Sequence, residues 1–294
     1  MGEYLKQELD SSLLVRTKII VLDFDGTLTD IDKEAAPAIN GWKEDLARDI
    51  GYSADELESE WQKITKNIIE TPFEYGWMRN GKIVAPSTSD PYMIANTITP
   101  IILDKENKYV GDEERNSYMY SLFAKNNSKS LVSFKEDADE FLERIKNKFS
   151  LYIVTNSDKN KVVEKISKLP GKHGDIPVFG GAKKYELSDD WNFLPESIEK
   201  EGFERPLYLR RKKYYDVLEN ILKENKAEAN QVIAIGDIYE LDLLLPEYLC
   251  MNTVLVPREN TPTFEINATK EYPKSYVEPN LINLAGYLEN KFCN

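Results

Sequence analysis

Five short apolar runs, rich in β-branched residues, punctuate the chain: Lys18–Leu22, Leu151–Val154, Ile176–Phe179, Val232–Ile235 and Thr253–Val256. Each stops at polar, glycine or proline residues, as buried strands do. Elsewhere the apolar residues recur three and four apart. Ala35, Ile39, Trp42, Leu46 and Ile50 form one such series, and Leu57, Trp61, Ile64 and Ile68 another, with Gly51 between them. This spacing predicts two helices within residues 33–70. Further helices are expected over 111–149, over 281–292, and around Val162, Val163 and Ile166. Another is expected around Val217, Leu218, Ile221 and Leu222, and a short amphipathic one over 3–14. Residues 71–100, with their prolines, scattered aromatics and Asn80-Gly81, keep no period and predict loop or hairpin. Residues 182–207 read as irregular.

Apolar strands separated mainly by helices predict an α/β fold, a Rossmann-like doubly wound parallel sheet covered on both faces. In such sheets ligands bind beyond the carboxyl ends of the strands. Asp23, Asp25 and Thr27 follow the first strand, Thr155 and Asn156 the second, and Asp237 and Asp242 the fourth.

Composition narrows the chemistry. The 294 residues are 41% hydrophobic and 30% charged, enough to bury a core. No apolar run reaches the ~20 residues that span a bilayer. The first fifteen residues, with Glu3, Glu8 and Asp10, do not read as a signal peptide, so a cytoplasmic protein without a membrane partner is expected. A formal charge of −13 disfavours nucleic acid as a partner but leaves room for a small phosphorylated metabolite. Two cysteines, Cys250 and Cys293, make no disulfide framework, and with one histidine they leave little for zinc. That histidine, His173, lies in a turn-like segment and is expected at the surface rather than in a catalytic triad.

The acidic residues suggest what the strand ends do. Asp23 and Asp25 stand two apart where ionising both is costly unless a cation joins them. Asp237 adds a third carboxylate, and an oxygen-rich site of this kind suits Mg²⁺. An Asp beside the cation can act as a nucleophile and form an aspartyl-phosphate. A second carboxyl can protonate a leaving alcohol and then activate water. Thr155 and Asn156 offer hydrogen bonds to phosphate oxygens, and a lysine would add fixed positive charge.

Three segments, in order, each after a strand, resemble motifs of the haloacid dehalogenase-like superfamily. They are Asp23-Phe24-Asp25-Gly26-Thr27-Leu28, Val154-Thr155-Asn156, and Gly236-Asp237-Ile238-Tyr239-Glu240-Leu241-Asp242. The resemblance covers roughly residues 16–30 and 131–260. It implies that Asp23 is nucleophile and metal ligand. Asp25 would be general acid/base, with its backbone carbonyl on the metal. Thr155 and Asn156 would bind the phosphoryl group, Asp237 would complete the Mg²⁺ site, and Asp242 would orient a water ligand or the lysine.

That lysine opens a helix before the fourth strand in the family, commonly as Lys-Pro. Here Leu209-Arg210-Arg211-Lys212-Lys213-Tyr214 lacks the proline. Lys212 sits at the usual offset; Arg211, Lys213, Lys183 and Lys184 are the alternatives. Related dehalogenases lack a counterpart of Asp25, so the resemblance implies a Mg²⁺-dependent phosphohydrolase for a small phosphate monoester. A phosphomutase or phosphotransferase, and a non-catalytic phosphate-binding module such as a receiver domain, are the alternatives.

The hundred or so residues after the first motif exceed an ordinary connection and predict a second domain. The resemblance makes residues 31–130 an inserted, mostly helical cap, and residues 1–30 and 131–294 the catalytic core. Tyr75, Trp77, Arg79 and Tyr92 are candidates to line its entrance, or else to pack its interior. Trp191 and Phe193 belong to the second irregular insertion.

Overall fold

A computed structural model of the protein describes residues 19–292. The helix expected over 3–14, the first residue of the Lys18 strand, and Cys293 lie outside the described residues. The chain enters through β1 (Ile19–Leu22) and passes into α1 (Ile31–Ile50) and α2 (Ala54–Glu70). The hairpin β2 (Gly76–Arg79) and β3 (Lys82–Pro86) follows, then α3 (Pro91–Lys105), α4 (Asp112–Asn127) and α5 (Ala138–Ile145). Next come β4 (Ser150–Val154), α6 (Lys159–Ile166), β5 (Val178–Phe179), and a second hairpin, β6 (Ser197–Ile198) with β7 (Leu207–Tyr208). The remainder is α7 (Lys212–Asn225), β8 (Val232–Gly236), α8 (Leu244–Tyr248), β9 (Asn252–Leu255), α9 (Thr263–Glu271), β10 (Ser275–Val277) and α10 (Leu281–Phe292).

Six strands form one parallel sheet in the order β10-β9-β8-β1-β4-β5. The chain winds outward from β1 in both directions, so the topological switch point falls between β1 and its neighbours β4 and β8. Alternate residues of β1 serve opposite faces. Ile20 and Leu22 pack with Phe141, Val162 and Leu284 from α5, α6 and α10. Ile19 and Val21 pack with Leu218, Leu244 and Ala268 from α7, α8 and α9. The expected doubly wound sheet is therefore observed, with β10 as a sixth strand that the sequence pattern did not show.

Residues 31–127 build a separate apolar interior. Trp42 and Leu46 of α1, Leu57 and Ile64 of α2, Ile98 and Ile102 of α3, and Leu122 of α4 form one cluster. Local signals start these helices. The Asp30 carboxylate caps α1 by accepting from the Lys33 amide. Ser53 and Glu56 satisfy each other's backbone amides in a capping box on α2. Leaving and returning chain segments are tied together, since Asp30 N donates to Ser133 O and Leu131 N to Glu34 O. Two expectations change. The aperiodic stretch 71–100 holds the hairpin but also most of α3, whose Pro91 opens the helix behind an Asp90 cap. The expected helix over 111–149 is two helices, broken at residues 128–137. Among the described residues no helix is long and apolar enough to cross a membrane.

Candidate active site

The nucleophile candidate continues the sheet by one residue. Asp23 N donates to Ile235 O at 2.8 Å, which fixes the carboxylate between the ends of β1 and β8. The chain then turns tightly, with the Leu28 and Thr29 amides on Phe24 O. Buried Phe24 and Leu28 anchor this turn from beneath. Gly26 sits at φ +86°, and a Cβ there would lie 2.3 Å from Asp237 Oδ2, so glycine is required twice over. Thr27 Oγ1 lies 3.2 Å from Asp23 Oδ2 and 3.4 Å from Asp237 Oδ1, bridging the two acids.

Asp237 and Asp242 come from the segment after β8. A Cβ on Gly236 would lie 2.3 Å from the Asp242 side chain, so the close approach of these two acids needs that glycine as well. Asp242 Oδ2 accepts from the Ile238 amide at 3.0 Å. Its Oδ1 accepts from Lys184 Nζ at 2.8 Å, and the same ammonium donates to Asp23 Oδ1 at 2.7 Å. Lys184 is 1% exposed.

The structure thus places Lys184 beside Asp23, and it does not place Lys212 there. The Lys212 side chain is 46% exposed and pairs with Asp216. It opens α7 on the solvent side because Tyr214, Leu218 and Ile221 take the buried side. Lys183 and Lys213 both pair with Glu186 at the surface. Arg211 is buried behind Lys184 and donates to the carbonyls of Lys184, Tyr208 and Val84. Asn156 does not face the acids either: its Oδ1 accepts from the Lys184 amide at 2.7 Å and so positions the lysine.

Asp25 turns away from the three acids. Its Oδ2 accepts from Ser157 Oγ at 2.6 Å and Thr155 Oγ1 at 3.2 Å, and Oδ1 lies 3.3 Å from Lys165 Nζ. Among the described residues, the side-chain cluster that could hold a metal is Asp23, Asp237 and Asp242, with ligand atoms within 4.8 Å of one another. Asp25 is expected to reach the metal through its backbone carbonyl, and its carboxylate lies outside that group. Ser157, Lys165 and Arg258 escaped the sequence reading. Ser157 follows the second strand like Thr155 and was open to the same rule. Arg258 follows β9 and was open to it too, whereas Lys165 is brought in only by tertiary contact, a 2.8 Å bond to buried Glu34 of α1.

Electrostatics mark the cluster as crowded. Burial pushes the Asp23 carboxyl well above the usual range, reinforced by Asp242 and Asp237 and opposed by Lys184. Burial likewise pushes Asp237 up to about 7, against the pull of Arg258, whose Nε lies 2.8 Å from Asp237 Oδ2. Burial works against charge on Lys184, yet Asp23 and Asp242 hold its pKa above that of an ordinary lysine. Three buried carboxylates face two cations, an arrangement with all-oxygen donors and spare negative charge that fits a hard divalent ion.

A cavity of about 530 Å³ is lined by Asp32, Ile39, Trp61, Thr88, Ile94 and Arg258 among others, and Arg258, which pairs with Asp237, links its wall to the cluster. The four expected entrance residues lie elsewhere. Trp77 stacks on Tyr185 at 4.2 Å with Arg79 over both rings, Tyr75 bonds Asn67, and Tyr92 bonds Ser130. Trp191 and Phe193 pack on each other and on Tyr215 of α7. His173 is buried rather than exposed, with Nε2 at 2.8 Å from Asp139.

No curated protein matches this sequence. Among solved structures the chain resembles a HAD-hydrolase, YfnB, from Bacillus subtilis bound to magnesium, at 16% identity and TM-score 0.52, over 93% of this chain and 99% of that one. It also resembles a predicted phosphoglycolate phosphatase from Haemophilus somnus, at 13% identity and TM-score 0.53, over 92% and 99%. A haloacid dehalogenase-like hydrolase from Xanthomonas campestris matches at 9% identity and TM-score 0.51, over 96% and 94%. Identities this low establish the fold alone. Residues 17–245 match the family model for haloacid dehalogenase-like hydrolases, and the chain belongs to that family.

Proposed function

We propose that this haloacid dehalogenase-like hydrolase is a Mg²⁺-dependent phosphatase that cleaves a small phosphate monoester through an aspartyl-phosphate on Asp23. The observation that carries this reading is the division of labour between two acids two residues apart. Asp23 faces Lys184 and the acidic cluster, while Asp25 faces the hydroxyls of Thr155 and Ser157. A halide leaves without a proton; an alkoxide needs one, and the presence of a second carboxyl at Asp25 supports a donor for it.

Asp23 and Asp237 would hold Mg²⁺, with the Asp25 carbonyl as the resemblance implies, and the ion would neutralise charge between carboxylate and phosphate. Asp242 holds Lys184 in place. The Asp23 carboxylate oxygen attacks phosphorus, the bond to the ester oxygen breaks, and its electron pair stays on that oxygen. Asp25 gives the oxygen a proton. Asp25 then takes a proton from a water that attacks phosphorus, releasing inorganic phosphate and regenerating Asp23. In this reading Lys184, bonded to Asp23, and Thr155, bonded to Asp25, carry the phosphoryl oxygens. Residues 31–130 act as the cap over this site.

The test is a panel of phosphorylated metabolites assayed with Mg²⁺ for free phosphate, with phosphorus NMR of the products. Free phosphate from one of them, lost in Asp23→Asn, supports the reading. An isomerised sugar phosphate without free phosphate makes the protein a mutase, and turnover undiminished in Asp23→Asn removes the nucleophile assignment.

A further inference from the structure

Three arginines from three separate core segments reach into the same stretch of the insertion. Arg205 donates to Ile83 O at 3.4 Å and Arg211 to Val84 O at 2.9 Å. Arg258 donates to the carbonyls of Thr88 and Ser89. Each arginine also holds a residue of the acidic edge or its surroundings. Arg205 pairs with buried Glu240, Arg211 bonds Lys184 O, and Arg258 pairs with Asp237.

The partners of the first two arginines lie outside the Asp23–Asp237–Asp242 cluster. Arg258 differs. Its partner Asp237 is a carboxylate that a cation would need, and its own side chain is only 6% exposed. Its remaining contact is Asp32 at 3.3 Å, while Asp90 and Lys135 contribute at longer range. The turn has one side-chain tie to α3, Ser87 Oγ to Thr97 Oγ1 at 3.0 Å, while buried Thr88 Oγ1 and Ser89 Oγ have no hydrogen-bond partner among the described residues, so the guanidinium is the second anchor of residues 87–89.

We propose that Arg258 is a positioning residue that sets cation binding at the Asp23–Asp237–Asp242 cluster against the seating of the turn Ser87–Ser89. The proposal rests on the Mg²⁺ reading above. A divalent ion and a guanidinium on one buried carboxylate repel each other, so the ion loosens Arg258 and, through it, the turn. By linkage the seated turn weakens the ion to the same degree. Arg258 thereby couples the mouth of the Trp61 cavity to the state of the acidic cluster.

The experiment combines Mg²⁺ titration calorimetry with amide hydrogen exchange on the full chain, wild type and Arg258→Gln. Arg258→Gln is expected to bind Mg²⁺ about tenfold more tightly. In the wild type, Mg²⁺ is expected to speed exchange at residues 87–90 several-fold. In the variant that exchange is already fast and Mg²⁺ adds nothing. A purely structural arginine would speed exchange in the variant without tightening Mg²⁺. Equal or weaker Mg²⁺ binding by the variant, or wild-type exchange that Mg²⁺ leaves unchanged or slows, overturns the proposal. Mg²⁺ uptake with unchanged exchange overturns the coupling alone, whereas no uptake removes the functional reading with it. If Arg258→Gln does not fold, Arg258→Lys and the wild-type exchange arm decide.

Discussion

The carboxyl edge of the sheet and the interior of the helical insertion are both buried, and they are built on opposite principles. The insertion packs Trp42, Leu46, Leu57, Ile64 and Ile98 against one another, and its buried Trp42 Nε1 finds Thr99 Oγ1 at 2.9 Å. Its stability comes from apolar area removed from water. The sheet edge gathers Asp23, Asp237 and Asp242 where their repulsion and desolvation raise two pKa values. Natural proteins retain such unfavourable clusters where function requires them. Substitutions should therefore separate the regions, affecting turnover at the edge and stability in the insertion.

The largest effect is expected at Asp23. Asp23→Asn keeps the shape but removes the attacking charge, and turnover should fall by ~10³-fold or more. Far-UV circular dichroism should show an intact fold, and unfolding alongside the lost activity would erase the contrast. Lys184→Met comes next. It should cut turnover by about 10²-fold or more and cost about 3–5 kcal/mol, because Asp23 and Asp242 lose their shared partner. Lys212→Ala should change stability by less than about 0.5 kcal/mol and leave turnover intact, since its charge is spent on an exposed pair. If Lys212→Ala abolished activity and Lys184→Met did not, the placement of the lysine would be wrong.

These two lysines also show what the sequence made legible. The apolar runs of β1, β4, β8 and β9 were readable because central parallel strands are buried on both faces. The edge strand β10, whose three residues are all half-buried, left no such pattern. In α3, Pro91 and Pro100 read as breakers, although Pro91 occupies the first turn and the helix tolerates Pro100. Asp23, Asp25, Thr155, Asp237 and Asp242 stood out as candidates because strand ends carry sites. The same rule, applied after β5, leads to Lys184. Attention to the helix before β8 drew it to Lys212 instead. Arg258, just past β9, was open to the same rule, whereas Lys165 had no local signal, since a half-buried cation reads in sequence like any surface one.

On the insertion side, Leu46→Ala removes a fully buried side chain from α1 and should cost about 2–5 kcal/mol. Turnover measured well below the lowered melting temperature should stay near wild type. A large loss of turnover with unchanged stability would show that the insertion's interior shapes the chemistry directly.

A modest effect sharpens the comparison most, because Asp45 is a buried carboxylate inside the insertion. It accepts from Arg48 at 2.7 Å, Lys125 at 2.6 Å and Asn126 at 3.0 Å, which ties α1 to α4. Burial alone would raise its pKa, but these donors outweigh it and bring it down to about 2. Asp237, with fewer donors for its burial, goes the other way. A depressed folded-state pKa means that the stabilisation is present above the unfolded value of about 4 and is lost as pH falls towards 2. The shift alone would correspond to about 2 kcal/mol. Arg48 and Lys125 are 62% and 57% exposed, so screening reduces it to roughly 1 kcal/mol. Thermal unfolding from pH 6 to pH 2.5 should show wild type above Asp45→Asn by that margin at the upper end, with the gap closing in acid. A gap independent of pH would mean that packing, not the ionised carboxylate, holds α1 to α4, and the contrast between a donor-rich acid and donor-poor ones would fail.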